Sequence, residues 1–121
     1  MAYDASNVFA KILRGEIPCN KVYEDDYALA FHDIRPLAPV HVLVIPKGPY
    51  VTLDEMTAQA TPEFVGRFFR AVSEVARLTS VVDTGYRFLA NNGSDAHQEV
   101  MHLHIHLFGG RPLGPMLKRS A

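Results

Sequence analysis

Three histidines occupy alternate positions in His102-Leu103-His104-Ile105-His106, and the run continues through Leu107-Phe108-Gly109-Gly110. Successive side chains of a strand point to opposite faces. This spacing therefore puts His102, His104 and His106 on one face, and Leu103, Ile105 and Leu107 on the other. Half of the chain's six histidines fall in that row. Neutral imidazole is nucleophilic near neutral pH and attacks phosphorus without a strong base to activate it. Crowded imidazoles disfavour multiple protonation, so the row predicts a neutral attacking ring beside one protonated neighbour that holds phosphoryl oxygens.

Two other readings of the row stay open at this point. Along a strand, neighbouring members lie about 7 Å apart and the outer two about 14 Å. Two neighbours, His102 and His104, could share a zinc with His41 from elsewhere, although a straight strand does not aim all three at one ion. No cysteine or acidic residue accompanies the row at ligand spacing. The remaining reading gives the three histidines no shared role, against which stands the need of a shielded histidine for partners.

The elements that must position this row can be read around it. Ser6 or Asn7 caps a short helix with Val8, Phe9, Ile12 and Leu13 on one face and Gly15 as its stop. A strand at Lys21 to Glu24, the turn-forming Asp25-Asp26 and a strand at Tyr27 to Asp33 form a hairpin. Pro36 and Pro39 impose a loop before a strand at His41 to Pro46. One helical turn is expected near Leu53 to Met56. Thr61-Pro62 then starts a long helix with Val65, Phe68, Phe69, Val72, Val75 and Ala76 as its stripe, reaching about Thr79. Tyr86 to Asn91 reads as a strand, Asn92-Gly93 as a tight turn, and Val100 to Phe108 as the histidine strand. The segment from about Arg111 is expected to be irregular. Strands at both ends with a long helix between predict an α+β fold on a mostly antiparallel sheet.

A chain of 121 residues with 48% hydrophobic and 21% charged residues is one domain, 1–121, with a single core. A formal charge of -1 offers no electrostatic footprint for nucleic acid or a membrane surface, so an anionic ligand must be held locally. The single Cys19 excludes an internal disulfide and suits a reducing compartment. Asp4 near the N-terminus and the lack of an apolar leader or spanning run point to a cytoplasmic protein.

The string HLHIHLF resembles the signature of the histidine triad family. The stretches YALAFHDIRPLAPVHVLVIPK and NNGSDAHQEVMHLHIHLFGGR resemble its purine nucleoside phosphoramidate hydrolase branch, and the likeness runs from about Asn7 to Arg111. The resemblance implies a five-stranded antiparallel sheet with two helices, in a homodimer whose sheets continue across the interface. It implies that His104 attacks the α-phosphorus of a purine nucleoside phosphoramidate or acyl-nucleotide, and that water then releases the monophosphate. His106 would contact non-bridging oxygens, His102 would orient the triad through His41, and Asn91 would position the phosphate or ribose. Asp33 would accept from the ribose hydroxyls; as a residue alone it also reads as a turn aspartate before Pro36. Val8, Phe9, Ile12, Ile17, Phe31, His32 and Ile34 would wall the base. Gln98, Glu99 and Val100 complete the nucleotide-binding set, with a backbone N–H of Glu99 or Val100 serving the leaving group.

Branch-specific positions refine this. Transferase relatives carry glutamine where this chain has His106, which favours hydrolysis. Dinucleoside polyphosphate hydrolases of the family read Pro-Arg after the triad, where this chain has Gly109-Gly110-Arg111. Asn7, Ala10 and Pro49 stand where some relatives hold a structural zinc, so neither metal nor other cofactor is expected. The chain departs from the pattern at His97, where a small residue is usual, and carries Glu99 where some relatives have serine or threonine. These two residues keep open a nucleotide-binding adaptor with little turnover.

Overall fold

The computed structural model describes residues 2–117. Helix α1 (Val8–Leu13) is capped by Asn7, whose side chain accepts from the Ala10 N–H, satisfying a free amide of the first turn. Strands β1 (Lys21–Glu24) and β2 (Ala28–His32) form the expected hairpin, where Asp25 accepts from the Tyr27 and Ala28 amides. Strand β3 (Val40–Pro46) follows the proline loop. The single turn expected near Leu53 is a two-turn helix, α2 (Leu53–Gln59), because Thr52 caps its start. Helix α3 (Pro62–Leu78) begins as read, with Thr61 accepting from Phe64 N–H and Pro62 in the first turn. Strand β4 (Tyr86–Leu89) and strand β5 (Ile105–Gly109) complete the sheet.

All pairings are antiparallel, in the order β1-β2-β3-β5-β4. The alternation of side chains divides the apolar residues between the two sheet faces. On one face Ala28, Ala30, Val42, Val44, Leu103, Ile105 and Leu107 pack under Phe68, Val72 and Val75 of α3. On the other, Leu29, Phe31, Leu43 and Ile45 pack against Phe9 of α1. The short α1 covers only part of this second face, and the uncovered part is where His41, His104 and His106 stand. Beyond β5 the chain has no helix or strand up to Leu117, and the rest of the expected irregular tail lies outside the described residues. Among the described residues no helix is long and apolar enough to cross a membrane.

The central strands approach their surroundings closely at Gly109. A methyl group there would lie 2.6 Å from Cγ1 of the buried Val81, inside van der Waals contact. Gly109→Ala is expected to destabilise the fold by about 1–3 kcal/mol, as overpacking of a filled site does. Equilibrium urea denaturation of the two proteins measures it.

Candidate active site

Strand β5 starts at Ile105, not near Val100, so His102 and His104 precede the ladder. The segment leading to them is held by other means. Leu103 N–H bonds the Tyr50 carbonyl at 2.8 Å, and the His102 ring is buried between two partners. Its Nε2 meets the Pro46 carbonyl at 3.0 Å, and its Nδ1 meets the Tyr3 hydroxyl at 2.5 Å. A carbonyl only accepts, so Nε2 carries the proton and Nδ1 receives the Tyr3 hydroxyl.

The same reasoning fixes the other rings. His104 Nδ1 lies 2.8 Å from the His102 carbonyl and must donate to it. The proton of neutral His104 is therefore on Nδ1, and the Nε2 lone pair is free, with no bond to any described residue. His41 Nδ1 accepts the Leu37 N–H at 3.1 Å. Its proton is then on Nε2, 3.0 Å from His106 Nδ1 and 3.5 Å from the Asp33 carboxylate. His106, accepting at Nδ1, presents an N–H from Nε2. The four rings thus offer a bare nucleophilic nitrogen on His104 and a donor on His106, whose ring centres lie 5.0 Å apart.

The contact expected between His41 and His102 is not made: His41 bonds His106. The register between β3 and β5 is the reason. Leu43 opposes His106 and His41 opposes Phe108, so His41 and His106 are diagonal neighbours within reach of their long side chains. His102 lies farther along, level with Pro46. The triad trio His41, His102 and His104 is consequently no metal site. Asp33, His41 and His106 do converge, with ligand atoms within 4.8 Å of one another. They fit a cation poorly, because the Leu37 amide occupies His41 Nδ1 and leaves the proton on Nε2, where a ligand needs its lone pair.

Burial pushes the pKa of every ring in this group down. His102 and His106 fall to about 4, and mutual repulsion with His104 and His41 adds to the burial of His106. His104 and His41 are lowered by burial too, against the pull of Asp33. The expected arrangement of one protonated ring beside a neutral one is therefore replaced by four neutral rings, since desolvation outweighs the nearby carboxylates.

These rings open on a cavity of about 320 Å³ lined by Phe9, Asp33, Leu37, His41, Leu43, Asn91, Val100, His104 and His106, with Arg35, His97 and Glu99 at its rim. Phe9 sets its ring edge-on to His104 at 4.9 Å. Asp33 makes the turn contact and also borders the cavity. One carboxylate oxygen accepts the Arg35 N–H at 2.8 Å as a turn residue does, and the other faces His41.

Several residues expected at the base do not line the cavity. Phe31 is buried beneath it, and Ile12 packs beside Phe9 in the same cluster. His32 alternates with Phe31 and so lies on the other sheet face. Ile34 is 93% exposed and Val8 39%, and Ile17 is half-buried away from the cavity. Gln98 is a bracket: it donates to the Val51 and Val100 carbonyls and accepts from the Gly93 N–H. Arg35, Leu37 and Leu43 were not among the expected residues. The signal for Leu43 was its alternation with His41 on β3; nothing comparable marks the loop residues.

His97 adopts φ +60, the left-handed region, which explains why a residue without a Cβ suits this position. Its ring reaches Glu99 at 2.8 Å, with the two side chains 86% and 74% exposed. An exposed pair of this kind contributes little stability. His97→Gly is expected to stabilise the chain by about 1 kcal/mol through release of the left-handed strain, read as a rise in Tm.

Fold and site together define an α+β sheet protein with a tautomer-fixed imidazole, His104, on a cleft of mixed polar and apolar lining. The sequence model of the HIT domain matches residues 14–113, and the chain belongs to this family. It is 61% identical to a HIT-like protein of Azospirillum brasilense over 98% of this chain and 97% of that one. It is 43% identical to the purine nucleoside phosphoramidase of Escherichia coli K12, over 91% of this chain and 92% of the relative. Among solved structures, a HIT family hydrolase from Clostridium thermocellum superimposes with a TM-score of 0.85 at 38% identity, covering 93% and 97% of the two chains. A histidine triad protein from Clostridium difficile gives 0.82 at 41% identity, covering 91% and 95%.

Proposed function

We propose that this protein hydrolyses the P–N or acyl-phosphate bond of purine nucleoside 5'-phosphoramidates or acyl-nucleotides through a nucleotidyl-histidine intermediate. The observation that carries the proposal is the His104 Nδ1 bond to the His102 carbonyl, which leaves a bare Nε2 lone pair on the cavity. The relative named as a purine nucleoside phosphoramidase supports the same chemistry.

His104 Nε2 attacks the α-phosphorus and forms a P–N bond to the ring as the bond to the leaving amine breaks. The amine departs with a proton taken from solvent, while the His106 Nε2–H bonds the phosphoryl oxygens and stays on its ring. Water then attacks the same phosphorus, Nε2 leaves, and the nucleoside monophosphate carries the new P–O bond. The His41 N–H keeps His106 in the donating tautomer throughout. Asp33 accepts from the ribose diol, Asn91 holds the phosphate, and Phe9, Leu37, Leu43 and Val100 enclose the base, an apolar slot with few polar groups.

The active form is a homodimer joined through β4. This strand is an edge of the sheet and exposes Tyr86 and Phe88, at 40% and 53%, and an open apolar edge favours pairing with another strand. The single Cys19 suits a reducing, cytoplasmic setting. Release of AMP from adenosine 5'-phosphoramidate by the purified protein tests the proposal. The His97–Glu99 pair at the rim favours a second reading, a nucleotide-binding adaptor. Tight AMP binding by calorimetry with no turnover would establish that reading instead.

A further inference from the structure

We propose that Tyr3 is a positioning residue for His104, acting through His102 from behind the triad; the inference rests on His104 being the nucleophile. The His104 tautomer depends on the His102 carbonyl that receives its Nδ1–H at 2.8 Å. That carbonyl lies ahead of β5, outside the ladder, so pairing with a neighbouring strand does not place it. Two contacts place it: the Leu103 N–H of the same peptide unit bonds the Tyr50 carbonyl, and the His102 ring is held on one side by Pro46 and on the other by Tyr3.

The proton on Tyr3 is itself directed. Asn7 caps α1 by accepting the Ala10 N–H at 2.9 Å on its carbonyl oxygen. Its amide nitrogen therefore turns to the other side and donates to the Tyr3 oxygen at 2.9 Å and the Asp4 carbonyl at 2.8 Å. With its oxygen receiving Asn7, the Tyr3 hydroxyl donates to His102 Nδ1. His102 then gives its one proton to Pro46. The order of donors runs without a conflict from the helix cap to the Pro46 carbonyl, and the His102 backbone carbonyl separately receives the His104 proton. Tyr3 also packs edge-on against the His102 ring, with centroids 5.6 Å apart. Four residues, Asp4 to Asn7, separate Tyr3 from the start of α1.

Tyr3→Phe keeps the ring and removes the donor. Misplacement of a reacting group through its supporting contacts reduces rates by about tenfold to a hundredfold. The expected result is a fall of that size in kcat for adenosine 5'-phosphoramidate with KM within twofold, roughly, since no substrate contact is lost. Nitrogen NMR of the free protein gives an independent reading. Wild type shows His104 protonated at Nδ1, and Tyr3→Phe shows a mixture of the two tautomers. Asn7→Asp is the second variant: it retains the helix cap, presents an acceptor to Tyr3, and draws the hydroxyl proton away from His102, so it gives the same mixture. If wild type has no turnover, the hydrolase reading fails while the tautomer signals still decide on Tyr3. An unchanged His104 tautomer in both variants, or an unchanged kcat in Tyr3→Phe, overturns the inference.

Discussion

His104→Ala is expected to lower the turnover of adenosine 5'-phosphoramidate by about ten-thousandfold, the scale on which loss of a covalent nucleophile is felt. The size of the effect follows from the bonding of the neighbouring rings. His102 cannot substitute, because both of its nitrogens are engaged, one by Tyr3 and one by Pro46, and it is 1% exposed. His106 cannot substitute either. Its Nδ1 is held by His41 at 3.0 Å, and its Nε2 carries the proton in the tautomer this imposes. One nitrogen in the group has a free lone pair directed at the cavity, and the variant deletes it. Affinity for AMP should change by no more than a few-fold, since the cavity walls and Asp33 remain. Steady-state rates and calorimetry on one preparation separate the two quantities, and a thermal melt verifies the fold.

The second large effect is on stability against acid. An unfolded histidine takes up its proton near pH 6.5, whereas folded His102 resists protonation until about 4. Between those values the unfolded chain binds more protons than the folded one. Stability is therefore flat above about pH 6.5 and falls as the pH drops toward 4. For His102 the interval corresponds to on the order of 3 kcal/mol, and His106, also held near 4, adds in the same direction. Unfolding free energies extrapolated from urea titrations at about pH 7.5 and about pH 4.5 should differ by that order. His102→Gln should show a shallower slope over the same interval while being less stable at neutral pH. An identical slope in the variant would remove His102 as the source.

What could be read in the sequence, and what could not, divides along physical lines. The strands at Lys21–Glu24 and Val40–Pro46 and the helix opened by Thr61-Pro62 announce themselves through alternation, β-branched residues and a cap with proline. His104 and His106 border one cavity, as the alternation predicts, although His104 stands just ahead of β5. Alternation does not predict register. The pairing of His41 with His106 depends on Leu43 lying opposite His106, and no single strand contains that information. Protonation is not legible in the sequence for a related reason, because burial depends on what packs above the row. The base wall was only partly legible: apolar residues near the site in sequence fall beneath it, as Phe31 does, or away from it, as Ile34 does. Gln98 shows the same limit, since besides its loop neighbours Gly93 and Val100 it bonds the distant Val51 carbonyl.

Tyr3 and Asn7 are the other kind of omission. Asn7 was legible as a helix cap, but its second role needs the tyrosine that stands four residues earlier to fold back on the triad. His97 was visible as a departure from the family pattern, and the left-handed backbone supplies the physical meaning of that departure.

The central claim is that His104 Nε2 forms a covalent bond to phosphorus. Wild-type protein mixed with excess adenosine 5'-phosphoramidate, quenched at alkaline pH within one turnover and digested, should yield one peptide bearing a nucleotidyl group, localised to His104 by fragmentation. An adduct on His102 or His106, or rapid release of AMP with no adduct at any time point, would contradict it.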